Sequence, residues 1–133
     1  MKSLIAEDDL TSRTLLESYL KVYGAINVAE NGKEAVEAVR LALEANEPYD
    51  LVCLDIMMPE MDGQEALKQI RQLESEAGVT AEKRARVIMT TAHADRDNVL
   101  EAIQGQCDYF LVKPIDKRAL LEELRRLGLI TEA

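Results

Sequence analysis

Short apolar runs alternate along this chain with longer stretches in which apolar residues return every three or four positions. Residues 2–6 (KSLIA), 51–54 (LVCL), 86–90 (RVIMT) and 109–112 (YFLV) are short and apolar and read as strands, 25–29 (AINVA) as a weaker one, and the unbroken run 51–54 has the pattern of a strand buried on both faces. The stretches between them predict helices. The first carries Leu15, Leu16, Tyr19, Leu20 and Tyr23 and is stopped by Gly24. The second, over residues 33–47, turns Ala35, Val36, Val39 and Leu43 inward and ends before Pro48. Asn31 and Glu34 form a capping-box-like pair at its start. The third covers residues 64–76 with Leu67, Ile70, Arg71 and Leu73, and the polar residues 75–85 after it read as loop or frayed helix. The fourth covers residues 95–104 with Val99, Leu100 and Ile103, closed by Gly105. The last is capped by Asp116 and lines up Leu120, Leu121, Leu124 and Leu127 before Gly128.

Five strand–helix alternations without repeats or linker predict one α/β domain over residues 1–133. Right-handed crossovers then demand a doubly wound five-stranded parallel sheet with helices on both faces. The expected strand order is the flavodoxin-like 2-1-3-4-5, whose switch point lies between the first and third strands. Ligands of such sheets bind beyond the carboxyl ends of the strands, so the residues that end each run carry the functional reading.

Those residues are polar. The first strand ends in Glu7, Asp8 and Asp9, the third in Asp55, the fourth runs into Thr91 and the fifth into Lys113. Each has an ordinary account taken singly: a solvated strand end for Asp55 or Thr91, a surface lysine for Lys113. Four of five strands ending this way on one edge argue against that account. Two unit charges about 4 Å apart at an effective dielectric near 20 repel by roughly 4 kcal/mol, and one lysine does not neutralise three carboxylates. Either carboxyl pKa values rise or a divalent cation sits there. Mg²⁺ suits carboxylate and carbonyl oxygens, with Asp8 and Asp55 as direct ligands, a backbone carbonyl just after Asp55, and Glu7 acting through a water. The free oxygen of Asp55 is then a nucleophile able to accept a phosphoryl group, with Lys113 neutralising charge and the Thr91 hydroxyl donating a hydrogen bond. Asp9 and Asp62 read as a helix cap and a turn residue, and His93 as an exposed loop residue.

Composition narrows the partners. A formal net charge of −9 disfavours a nucleic-acid surface and fits a divalent cation or a partner with a basic face. The chain is 47% hydrophobic and 31% charged, as a soluble globular domain is. No run is long enough to span a membrane and residues 1–6 are too short for a signal peptide, so the expectation is a cytoplasmic protein. Cys53 and Cys107 have no metal-ligand companions and read as reduced thiols.

With LIAEDD, LDIMMPEMDG, TTA and Lys113-Pro114 in this order on these elements, the chain resembles the receiver domain of two-component response regulators over essentially its whole length. The resemblance implies that Asp55 takes phosphate from a sensor histidine kinase or a histidine phosphotransfer domain. It implies that Glu7 and Asp8 hold Mg²⁺, with the Met57 carbonyl as a further ligand. Thr91 and Lys113 would contact the phosphoryl group, and Phe110 would be the aromatic that turns as Thr91 moves, although Tyr109 puts a second ring beside it. It further implies a cis Lys113–Pro114 bond, a signalling rather than an enzymatic role, and self-catalysed phosphorylation and dephosphorylation. It gives an unidentified downstream protein effector and a monomer that can dimerise on phosphorylation.

Against that family the interval from Asp55 to Thr91 is long, with the surplus in residues 75–85, and the second helix is extended. Met57 and His93, two residues past Asp55 and Thr91, occupy positions that modulate phosphoryl loss in the family. Apolar Met57 cannot orient an attacking water, which predicts a comparatively long-lived phosphorylated form. With the chain ending soon after its last helix, the expectation is a stand-alone regulator without an output domain. An aspartate-nucleophile phosphatase would need an acid at position 57. The remaining alternative is a phosphorylation-independent interaction module that keeps the fold.

Overall fold

The computed structural model describes residues 1–131; the last two residues of the expected domain lie outside the described residues. The order of elements is β1 (Ser3–Ala6), α1 (Leu10–Leu20), a 3-10 turn (Lys21–Tyr23), β2 (Ile26–Ala29), α2 (Gly32–Glu44), β3 (Leu51–Asp55), α3 (Gly63–Glu76), β4 (Arg86–Thr91), α4 (Arg96–Gln104), β5 (Tyr109–Val112) and α5 (Lys117–Arg126). The strands form one parallel sheet in the order β2-β1-β3-β4-β5, as the alternation predicts.

Side chains along each strand point alternately to the two faces, and that alternation divides the core. Leu4, Ala6, Val52, Leu54, Val87 and Met89 meet α2, α3 and α4, whose Ala35, Val39, Ala66, Leu67, Ile70 and Ala102 cover them. Ile5, Leu51, Cys53, Ile88 and Leu111 face the other way, onto Leu16 and Leu20 of α1 and Leu120, Leu121 and Leu124 of α5. Both faces of the central strands are therefore dry, which explains their unbroken apolar runs.

Asp9, Asn31 and Asp116 cap helices as read from the sequence, while Asp62, read as a turn residue, and Asp95, read as the first residue of its helix, prove to be caps as well. Asp9 is the aspartate that caps α1, its carboxylate accepting from the Ser12 N–H. Asn31 accepts from Glu34, and the Glu34 carboxylate reaches back to the Glu30 N–H. Asp62, Asp95 and Asp116 cap α3, α4 and α5 in the same way.

Three details depart from the pattern. α2 stops at Glu44 because Asn46 takes a left-handed conformation, φ 56°, and the Glu47 N–H turns back to the Ala42 carbonyl 2.9 Å away. Leu15 of α1 faces solvent. In α4, Leu100 and Ile103 are 44% and 62% exposed while the small Ala102 is buried. The helix touches its neighbours along a narrow strip that admits a methyl group, and the larger side chains fall outside it.

Of the surplus segment 75–85, the first two residues complete α3 and residues 77–85 form turns, pinned by a buried ion cluster. The Arg71 guanidinium donates to Glu74 (2.8 Å), Asp108 (3.0 Å) and the carbonyls of Ala85 (2.7 Å) and Gln106 (2.9 Å). Glu74 and Asp108 in turn accept the backbone N–H groups of Ala85 and Val87. This cluster lies at the amino-terminal end of β4, away from the acidic edge. Cys53 is buried and Cys107 half-buried, both as free thiols. Among the described residues no helix is long and apolar enough to cross a membrane.

Candidate functional site

The site is built at the carboxyl edge, where β1 and β3 lie side by side. The register pairs Ala6 with Leu54, so the next residues, Glu7 and Asp55, are neighbours. Glu7 is fully buried, Asp8 is exposed, and Asp55 is 4% exposed. One carboxylate oxygen from each of the three lies within 4.8 Å of the others. The loop after β1 fixes Glu7 further: its side chain accepts from the Asp9 N–H at 3.3 Å, and its carbonyl accepts from Arg13 at 3.1 Å.

Lys113 completes the cluster from β5. Its ammonium pairs with Glu7 and stands 3.3 Å from Asp55 Oδ1. Its backbone N–H donates to the Thr91 carbonyl at 2.7 Å, which ties the ends of β4 and β5 together. The Lys113–Pro114 bond is cis. Thr91 is buried, and its hydroxyl oxygen accepts from the His93 N–H at 3.2 Å. Asp55 is in register with Thr90, so Thr91 sits one step beyond Asp55 on the adjoining strand.

Electrostatics follow from this packing. Burial, then the neighbouring Glu7 carboxylate, push the Asp55 carboxyl up to about 7, and Lys113 only partly offsets them. Burial works against the Lys113 charge, but its pairing with Glu7 and Asp55 prevails and raises its pKa. Three carboxylates against one ammonium leave an excess of negative charge aimed at one point. That donor set of carboxylate oxygens, two of them buried, fits a hard divalent cation.

The loop from β3 to α3 forms the outer wall. The Met57 side chain is 70% exposed. Pro59, Glu60 and Met61 make a tight turn in which the Met61 N–H reaches the Pro59 carbonyl at 2.7 Å and Glu60 has φ 67°. The Gly32 N–H at the start of α2 donates to the Met61 carbonyl at 3.0 Å, and the Gly63 N–H to that of Ile56 at 2.9 Å. A Cβ on either glycine would overlap backbone, on Met61 and Asp55 respectively, so this loop can close down only on glycine.

Of the residues singled out in the sequence, Glu7, Asp8, Asp55 and Lys113 come together, with Thr91 at the same edge. Phe110 is half-buried and packs into the core beneath α2, α3 and α4. It lies beside Met89 in the register, below the edge. Tyr109 points to the exterior and is exposed. His93 is exposed in the loop before α4.

A model of the response regulator receiver domain matches residues 3–125. The chain belongs to this family. Chemotaxis protein CheY of Bacillus subtilis is 36% identical over 125 residues, covering 92% of this chain and 93% of that protein. The receiver domain of the histidine kinase CKI1 of Arabidopsis thaliana, solved with Mg²⁺ and BeF₃⁻, superposes with a TM-score of 0.81 at 30% identity, over 96% of this chain and 89% of that one. The receiver domain of Ssk1 of Saccharomyces cerevisiae, co-crystallised with the histidine phosphotransfer signalling protein Ypd1, gives 0.82 at 26% identity, over 96% and 88%. Receiver domains also occur as parts of much larger chains: this chain spans 12% of the length of a probable histidine kinase 2 of rice, at 36% identity. The CheY-like two-component fold and the signalling class thus follow for this receiver domain.

Two contributors escape a reading of the sequence. Arg13 is a lone charge in the first turn of α1, and nothing local signals that it reaches the Glu7 carbonyl. Gln64 shares a helical stripe with Leu67, Ile70 and Arg71, a spacing that hints at burial but does not say that its carboxamide meets Asn98.

Proposed function

We propose that this receiver domain accepts a phosphoryl group on Asp55 from a sensor histidine kinase or a histidine phosphotransfer domain and changes its affinity for a protein effector as a result. The observation that carries this reading is the convergence of Glu7, Asp8, Asp55 and Lys113 on one point at the sheet edge. Mg²⁺, held by Asp8, Asp55 and the Met57 carbonyl with Glu7 acting through water, would supply charge neutralisation for the incoming phosphoryl oxygens. Asp55 acts as its carboxylate: one oxygen bonds to phosphorus as the bond from phosphorus to the donor's imidazole nitrogen breaks, and that nitrogen keeps the electron pair. Lys113 holds the negative charge that arrives. The Thr91 hydroxyl exchanges its hydrogen bond with the His93 amide for donation to a phosphoryl oxygen, and Phe110 turns toward the space Thr91 leaves. Self-catalysed phosphorylation and loss of phosphate use the same groups, but the output is binding, not turnover.

Intact mass after incubation with acetyl phosphate or phosphoramidate and Mg²⁺ tests the reading. The expected result is a gain of one phosphoryl group, absent in Asp55→Asn and absent without metal. A folded protein that gains nothing would instead be a receiver-fold module that binds its partner without phosphorylation.

A further inference from the structure

Gln64 is the second residue of α3 and is 3% exposed. Its carboxamide N–H₂ donates to the Asn98 carbonyl in the first turn of α4 at 2.9 Å, and its buried oxygen has no hydrogen-bond partner. Further along the same interface Lys68 lies 3.4 Å from Glu101, and Arg71 donates to the Gln106 carbonyl beyond the end of α4. The fastening is polar where helix pairs are usually apolar. Among the described residues of α4, Ala102 alone is buried, and a Cβ on Gly105 would come 2.8 Å from the Leu67 side chain. With so little apolar area holding it, α4 belongs to the weakly held part of the molecule.

We propose that Gln64 is a positioning residue that latches α4 to α3 and so sets the resting arrangement of the site. α3 follows directly from the loop after Asp55, and α4 from the loop after Thr91 that carries His93. The Gln64–Asn98 hydrogen bond therefore fastens the wall behind the acid to the wall behind the hydroxyl. The Lys68–Glu101 pair is exposed and contributes little to this hold. The Arg71 cluster anchors the far end of α4, which leaves Gln64 as the hold on its near end. Losing the latch makes movement of α4, and of Thr91 with it, less costly. This consequence for the site rests on the phosphoacceptor reading; the hold on α4 does not.

The test is Gln64→Leu, close in volume and unable to donate, beside the parent and Lys68→Ala. The Asn98 carbonyl keeps its bond within the helix, so the variant has no new orphan there. In the metal-free protein, hydrogen exchange of the amides at residues 99–104 should quicken about tenfold in Gln64→Leu relative to the amides of β1 and β3, with no change in Lys68→Ala. Titration with BeF₃⁻ and Mg²⁺ should show Gln64→Leu binding about threefold to tenfold more tightly than the parent, the worth of one neutral hydrogen bond. Unaltered exchange in α4, exchange that quickens evenly throughout the sheet, the same response in Lys68→Ala, or unchanged or weaker BeF₃⁻ binding overturns the latch. A parent that does not bind BeF₃⁻ overturns the phosphoacceptor reading, and the exchange comparison then decides the hold on α4 by itself.

Discussion

Lys113, carried from β5, reaches across the edge of the sheet to within 3.3 Å of Asp55 on β3 while pairing with Glu7 on β1. One ammonium thereby links three strands and restrains a pair of buried carboxylates that would otherwise repel. Removing it in Lys113→Met should leave the phosphoryl charge unneutralised. The expected outcome is phosphorylation by acetyl phosphate slowed at least about tenfold, the effect of losing about 1.4 kcal/mol of transition-state stabilisation. Time-resolved intact mass measures it.

Burial of Asp55, with the Glu7 carboxylate beside it, also makes stability depend on pH. An aspartate titrates near 3.9 in the unfolded chain and Asp55 at about 7 in the metal-free fold. Between those values the folded state binds more protons, so stability falls as pH rises from about 4 to about 7 and levels off above. Urea unfolding of the metal-free protein across that range should show the slope, and Asp55→Asn should flatten it.

Mg²⁺ should stabilise the fold, because an ion that binds the assembled carboxylates does not bind the unfolded chain as well. At a hundred times the dissociation constant the gain is about 2.7 kcal/mol. Unfolding midpoints with and without Mg²⁺ test this, and Asp8→Asn should abolish most of the difference.

Gly32 approaches the Met61 carbonyl so closely that Gly32→Ala must displace either α2 or the loop after Asp55. A cost of about 1–3 kcal/mol in unfolding free energy is expected, as for other overpacked sites. Mg²⁺ affinity should fall with it, because that loop carries the Met57 carbonyl.

Met57 presents an apolar, exposed side chain at the mouth of the site. Met57→Asn introduces a group that can orient water, so loss of the phosphoryl group should quicken several-fold. Mass spectra taken at intervals after removal of the phosphodonor give the rate, and an unchanged rate would dissociate phosphoryl lifetime from this position.

The architecture was largely legible in the sequence, since the central strands, buried on both faces, read as apolar runs and most helices open on a recognisable cap. β5 runs over Tyr109–Val112 as expected, and α1, α2 and α5 start at the caps read for them, whereas Asp62 and Asp95, read as a turn residue and a helix residue, cap α3 and α4. The acidic edge was legible too, because parallel strands all deliver their last residues to one side. Periodicity reports which face is apolar but not how wide the neighbouring groove is. Leu100 and Ile103 therefore match a core stripe yet lie outside, and Ala102 is buried in their place.

By itself the sequence determined the strand–helix alternation, the parallel sheet and the set of charged residues at its edge, all of which arise from local pattern and chain connectivity. Tertiary structure decided which of these groups touch. It gave Lys113 both Glu7 and Asp55 as partners, sent Arg13 to the Glu7 carbonyl, buried Arg71 between Glu74 and Asp108, and aimed Gln64 at Asn98. Such contacts depend on distances between residues remote in the chain, which emerge only when the helices settle on the sheet and their side chains compete for the same space.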